Sequence, residues 1–425
     1  MKKLLNLKDL ALLVPFLLIP IFGSFALGFI LSLAIFLSLY FLIKKSQDNT
    51  AAPLKTIGVI FVSYFSYYTV QGYFYSSSLS QHIHDIGKIF PIVLIGVLAL
   101  LIKANTFKIN YKMLSLVAVS SIYLTTVLAL IFHFFPPDIV IRGLSFSEKT
   151  GTGLNSNGML QRLEMGAGNP LPFGTIFITF AFLTCLGYEK KNTLEKIISF
   201  SSLILAILVV GFWTVSRGPL LLVVPLTFLM LWYLYKNSKS EKAWFPLILG
   251  CCTVTLLAIS FITMQNFGYN SSNHLVNGLK ELTVNGSHDQ SVNLRLTIYQ
   301  AALESFSINP IFGFGIGNLS ESTIQFLPEK FSFGYTHLHN MFLNHMIAGG
   351  LVGLVLLFIL ATSPLLILWQ KRDIISINGI YFSLLIVIII FGQGMSNVIL
   401  FHDLLAGFFS VLILIAAITS NKPDN

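Results

Sequence analysis

From Thr336 to Leu354 the chain reads THLHNMFLNHMIAGGLVGL, three histidines and two asparagines set directly before glycines and aliphatics. Polar groups of this kind are costly inside a bilayer and ordinary at its edge. An imidazole with a pKa of about 6.5 can take a proton from a hydroxyl at neutral pH. His339, where a polar stretch enters an apolar one, is therefore a candidate general base. With a helix starting here, Asn340 and Asn344 share a face at i, i+4, turned by about 100° from His339. Their carboxamides can orient the imidazole or bind sugar hydroxyls; equally, they can cap the helix and pack at its interface. Gly349 and Gly353 form a GxxxG, which in a membrane means close helix packing and would fix the helix that carries His339.

Arginine is the residue suited to bidentate phosphate recognition, because its planar fork stays charged and meets two oxygens at once. Only five arginines occur, and four of them, Arg142, Arg162, Arg217 and Arg295, fall on what the topology below makes the outer side. Arg217 lies in TVSRGPLL between two apolar runs with almost no loop between them. A charge there faces a watery cavity or an anion, or else it snorkels to the headgroups. Arg295 lies in SVNLRLTIYQAALESFSINP, where Val292, Leu296, Tyr299, Leu303 and Phe306 recur at spacings of 4, 3, 4 and 3. That spacing predicts an amphipathic helix ended by Asn309-Pro310 and lying along the outer membrane surface, its apolar side down. On such a helix Arg295 either meets a ligand or stands on a solvated face. The following IFGFGIGN supplies Gly313 and Gly315, which permit tight turns or close backbone approach.

Other groupings carry less. His82, His84 and Asp85 in HIHD could meet a metal but lack an evident third ligand, and no metal site is expected. Cys185, Cys251 and Cys252 offer neither a disulfide framework nor metal-ligand spacing and read as packing. The acidic residues of the outer segments are scattered, without a DxD or a close carboxylate pair, which argues against a metal-diphosphate site or a two-carboxylate glycosidase. With no P-loop and no G-x-S-x-G, nucleotide-driven chemistry is unsupported, and no cofactor is expected.

These residues must be positioned by membrane helices. Of 425 residues, 55% are hydrophobic and 10% charged, and mean hydropathy is +0.80. That balance fits an all-α polytopic membrane protein. Twelve apolar runs of spanning length are expected, near 7–22, 24–43, 54–75, 87–102, 113–135, 171–187, 197–214, 218–235, 243–264, 340–369, 376–396 and 400–420. The first two are divided by a turn at Gly23, and MKKLLNLKDL reads as a retained anchor. With both termini inside, 18 of the 26 Lys and Arg fall in inner segments, Lys112, Lys190 and Lys191 among them. The net charge of +9 is then mainly an orientation signal and does not imply nucleic acid. A single integral membrane domain, 1–425, is expected, with two longer outer loops at 136–170 and 265–337.

His339-Asn340, nine residues, then Gly350 and Gly353 resembles the H-[NSQ]-x9-G-x-x-G signature of the bacterial O-antigen ligase and polymerase superfamily. Three further features follow the expected order: Arg217 in SRG between spans, Arg295 heading a loop helix before P-x-x-G-x-G (Pro310, Gly313, Gly315), and GNP at 168–170. The likeness covers about the last 260 residues; the first five spans match in hydropathy only. It implies a GT-C-like membrane fold of the bacterial inner membrane, with a large, partly helical periplasmic loop. It further implies a metal-independent, inverting glycosyltransferase that draws on an undecaprenyl diphosphate-linked glycan. On that likeness His339 is the base, and Arg217 and Arg295 hold the diphosphate. Arg162, Asn340, Asn344, His337, Gly313 and Gly315 would contact donor or acceptor.

Two acceptors fit one donor chemistry. A ligase moves glycan to a lipid A–core hydroxyl in lipopolysaccharide biosynthesis, the favoured expectation; a polymerase moves it to a second lipid-linked repeat unit. Arg142 and Gly153 form an R-x10-G resembling an element of polymerase loops. A lipid-glycan flippase or other transporter is the rival class. Such proteins often carry repeated halves and charges at the midplane, whereas here the polar residues gather on one side.

Overall fold

The computed structural model describes residues 7–43, 51–75, 78–102, 106, 107, 109–134, 163, 165–167, 169–214, 217–237, 290–328, 337–370, 372 and 376–419. Thirteen α-helices lie among these residues, with short 3-10 and π turns and no strand. They are α1 (Leu7–Phe22), α2 (Ser24–Ile43), α3 (Ala52–Tyr75), α4 (Leu79–Leu101), α5 (Tyr111–Phe134), α6 (Pro170–Leu183) and α7 (Thr193–Leu208). After them come α8 (Arg217–Asn237), α9 (Gln290–Phe306), α10 (Leu319–Ile324), α11 (Met341–Gln370), α12 (Ile377–Gly394) and α13 (Asp403–Thr419). Helices fall on every expected span except 243–264, which lies outside the described residues with most of the 136–170 loop and with 265–289.

The chain is an all-α polytopic membrane protein. Seven of the described helices, α2, α4, α5, α7, α8, α11 and α12, are long and apolar enough to cross a bilayer. Three shorter apolar helices, α1, α6 and α13, accompany them. α3 is long enough, but its five tyrosines and Gln71 hold its hydropathy down. Those polar groups prove to be in use below.

α6 and α13 form the centre. Residues 172–183 of α6 and 404–419 of α13 are all buried. Phe16 of α1, Phe180 of α6 and Phe408 of α13 cluster with ring centroids 5.1, 5.7 and 5.9 Å apart. Lipid is as apolar as these rings, so their association rests on close van der Waals fit rather than on exclusion of water.

One loop lysine turns into the protein. Lys191 is buried, and its ammonium donates to Ser115 Oγ at 2.6 Å, Ser199 Oγ at 2.7 Å and the Thr184 carbonyl at the end of α6. Positive charge in loops is usually solvated, but three oxygens meeting at one point hold this one inside. Burial pulls its pKa down to about 8. Cys185 is a buried free thiol, as packing requires, and Cys251 and Cys252 lie outside the described residues.

α9 confirms the helix but divides its faces. Ile298, Ala301, Ala302 and Ser305 are buried, whereas Leu296 and Leu303, seven residues apart on another face, are exposed. Of the strip picked out by the alternation of 4 and 3, Tyr299 and Phe306 pack partly on the core while Leu296 and Leu303 do not; the fully buried side is Ile298 with small residues.

α11 is broken at Gly350, whose φ of 62° and ψ of −156° only glycine adopts readily. The turn after α9 fills the break. Phe314 N donates to Ile347 O at 2.8 Å and Gly315 N to Ala348 O at 2.9 Å. In return Leu351 N donates to Pro310 O at 2.8 Å and Val352 N to Ile311 O at 3.2 Å. The helical bonds lost at the break are thus replaced, as backbone within a membrane protein must be. A methyl group at Gly350 would lie 2.3 Å from the Ile311 carbonyl carbon, and one at Gly313 (φ 71°) 2.6 Å from Gly350 N. α3 seals the joint: Tyr67 donates to Gly349 O at 2.6 Å and Gln71 to Phe312 O at 2.9 Å, while Tyr68 packs on Gly349 and Gly353.

Candidate functional site

α11 opens on a built turn. Asn340 Oδ1 accepts from Phe342 N at 2.9 Å and Leu343 N at 3.1 Å, which makes Asn340 the N-cap. Asn344 is fully buried; its Nδ2 donates to Asn340 O at 2.8 Å and its Oδ1 accepts from Leu338 N at 3.1 Å. Asn344, expected to meet substrate, is therefore a brace, because both of its polar atoms are taken inside the fold. His345 is likewise interior, between the Met341 carbonyl and the Tyr64 hydroxyl, each 2.7 Å away, and its ring stacks on Phe401 at 4.2 Å.

Between these fixed points His339 takes φ of 51°. A side chain with a Cβ adopts that side of the map at a cost of about 1–2 kcal/mol, so the neighbouring contacts must hold it there. Met165 (φ 44°), three residues after Arg162, is the other non-glycine with positive φ among the described residues. One strained position is thus the candidate base itself. The rings of His339 and His337 meet edge to face at 4.4 Å.

Charge reaches this turn from three elements. Burial, and after it the guanidinium of Arg295 on α9, hold the His339 pKa below its usual value. His337 is pushed down to about 4 by burial, then by the charges of His339, His402 and Lys88. Both imidazoles are thereby kept neutral at pH 7, the state in which a histidine accepts a proton. One turn beyond Arg295, Tyr299 donates from its hydroxyl to the His339 carbonyl at 3.4 Å.

The end of α12 collects the remaining candidates. Asn340 Nδ2 donates to Met395 O at 3.4 Å. Gly218, next to Arg217 at the start of α8, packs so closely that a methyl there would lie 2.9 Å from Ser396 Oγ. Leu163, next to Arg162, donates its N–H to Trp213 O at 2.9 Å in the π-turn that precedes α8. The backbone thus gathers the His339 turn and the start of α8 on one helix end and ties the Leu163 segment to the turn before α8. Arg162 and the side chain of Arg217 lie outside the described residues. Gly313 and Gly315 are occupied with the break in α11, which is how they serve this region. His82 and Asp85 each have partners of their own, Thr69 O at 3.2 Å for the one, Gln81 and Lys88 for the other.

Sequence reading missed Tyr299, Lys88 and His402. Tyr299 counted only as an apolar position. Lys88 had a signal, a cation at the start of an apolar run, but it pairs with Asp85 at 2.5 Å. His402, 3.3 Å from Asp403, carried none beyond its type.

A family model described as O-antigen ligase matches residues 200–358, the stretch holding Arg217, Arg295, the 310–315 turn and His339. That match supports membership in the O-antigen ligase and polymerase superfamily. It is also similar to a protein of Haemophilus influenzae described as uncharacterized, 25% identical over 228 residues, 49% of this chain. The similarity spans about half of that relative's length, 54%. The site draws on α3, α4, α12 and α13 as well, none of which lies within the matched stretch.

Proposed function

We propose that this protein is an O-antigen ligase, an inverting, metal-independent glycosyltransferase. It takes glycan from undecaprenyl diphosphate and passes it to a hydroxyl of lipid A–core. The observation that carries the reading is the half-buried, neutral His339 imidazole held on a strained turn beside Arg295. The acceptor oxygen attacks the anomeric carbon from the face opposite the diphosphate, so configuration inverts. Its proton passes to His339 as the C–O bond to the diphosphate breaks. Arg295, with Arg217, offsets the charge that grows on the departing oxygen. The donor carries its own leaving group, so base and charge stabilisation are what the chain must supply, each on the order of a hundredfold or more. In this reading the His339 end faces the periplasm and the termini the cytoplasm. The loops at 136–170 and 265–337 are periplasmic parts of one domain, and α9 rests Leu296 and Leu303 on the membrane.

The test is a gel of surface lipopolysaccharide from a deletion strain complemented with wild type or His339→Ala. Core without O-chain, with polymer held on the carrier lipid, supports the ligase. Core bearing a single repeat makes the protein a polymerase. A wild-type ladder from membrane-inserted His339→Ala sinks the base.

A further inference from the structure

We infer that Tyr299 is a positioning residue, whose hydroxyl clamps the His339 carbonyl and so aims the base at a donor held from the same helix by Arg295. The inference rests on His339 being the base. Arg295 and Tyr299 stand four residues apart on α9, hence on one face of it. Tyr299 is half-buried, and its hydroxyl reaches the His339 carbonyl. His339 is the strained residue, directly before the cap. The other braces of the turn, Asn340 and Asn344, come from α11 itself and hold the helix start. Tyr299 alone of these ties the left-handed residue to the element that carries the guanidinium. That element is fixed again where 310–315 fills the break in α11. One helix therefore sets both the anion contact and the base, so the distance between them does not depend on the longer outer loop.

Removing one oxygen tests this. The full-length protein is assayed in vesicles, with lipid-linked glycan and lipopolysaccharide extracted from the deletion strain as donor and acceptor. Tyr299→Phe lowers the rate at saturating donor roughly tenfold or more, as small misplacements of a reacting group do, while half-saturating donor stays within about twofold. A rate within about twofold of wild type overturns the proposal. So does a loss confined to half-saturation, which would make Tyr299 a donor contact. The second arm uses His339→Gly with added imidazole, where the base is no longer attached to the clamped carbonyl. There Tyr299→Phe leaves the rescued rate unchanged, and an equal loss means that Tyr299 acts on substrate. If imidazole restores nothing, the first comparison decides alone. If His339→Gly matches wild type without imidazole, it is the base assignment that falls, a result distinct from any failure of Tyr299.

Discussion

The two ends of α12 hold similar residues in opposite conditions. At its start, Asn378 accepts from the Tyr233 hydroxyl and the Gly187 amide and donates to Glu189. Beside it Lys112 pairs with Glu195 at 2.9 Å, and Lys191 spends its ammonium on three acceptors. At the other end Arg295, Lys88, His337, His339 and His402 converge, and among the described residues no carboxylate pairs with Arg295. There the backbone is strained at His339, whereas at the Lys191 end the positive φ falls on a glycine, Gly187. A polar network whose members satisfy one another is structure. One that, among the described residues, leaves Arg295 without a carboxylate and holds strain is where the proposed diphosphate would fit.

The largest break in that comparison comes from the base. His339→Ala should reduce glycan transfer on the order of a hundred- to ten-thousandfold while the protein still inserts, read as loss of the lipopolysaccharide ladder at equal membrane level. Arg295→Gln should follow, at roughly a hundredfold, with Arg295→Lys recovering part of the rate because charge returns without the fork. It should also move the pH profile. A nearby positive charge disfavours the protonated imidazole, so its removal raises the His339 pKa. The acidic limb of the rate profile then shifts to higher pH in Arg295→Gln. An unmoved limb with a fallen rate would mean that Arg295 touches substrate without setting the base.

Smaller, and mixed in kind, is the joint between the two elements. Gly350→Ala places a methyl against the Ile311 carbonyl in a conformation that costs about 1–3 kcal/mol even without the clash. Thermal stability and transfer rate should drop together, whereas the arginine and histidine variants lose rate at unchanged stability. A Gly350→Ala protein that melts like wild type would show that α11 can close its own break.

Much of this was legible from residue types and little from spacing alone. Apolar runs of spanning length found the helices, because a bilayer imposes one length on each. His339 and Arg295 stood out because charged and titratable groups are rare in such a chain. What sequence could not give was which side of a polar residue would be used. Asn344 and Asn340 had two open readings, and the structure employs them as brace and cap. Gly313 and Gly315 permit close approach in either reading, and what approaches is the α11 backbone. Tyr299 sat on a regular apolar spacing, and a phenol shows its polar end only when a partner is known. The burial of Lys191 was not visible because counting charges by loop cannot see three oxygens meeting inside.

That last residue gives the mildest prediction and the sharpest control. Lys191→Met removes an ammonium and its three hydrogen bonds from the saturated end, a cost of about 1–3 kcal/mol. Rate per folded molecule should stay at the wild-type value, since nothing at the His339 end depends on it. Its pH dependence can be signed as well. Burial holds the folded pKa at about 8, against 10.5 ordinarily, so between those values the unfolded chain binds more protons than the folded one. Stability from this group therefore rises as pH rises through that window and is level below it. Melting curves from pH 8 upward should show that rise in wild type and lack it in Lys191→Met. A loss of transfer rate in Lys191→Met at full folding would mean that the two ends of α12 are coupled, and that saturation does not mark the inner network as structure alone.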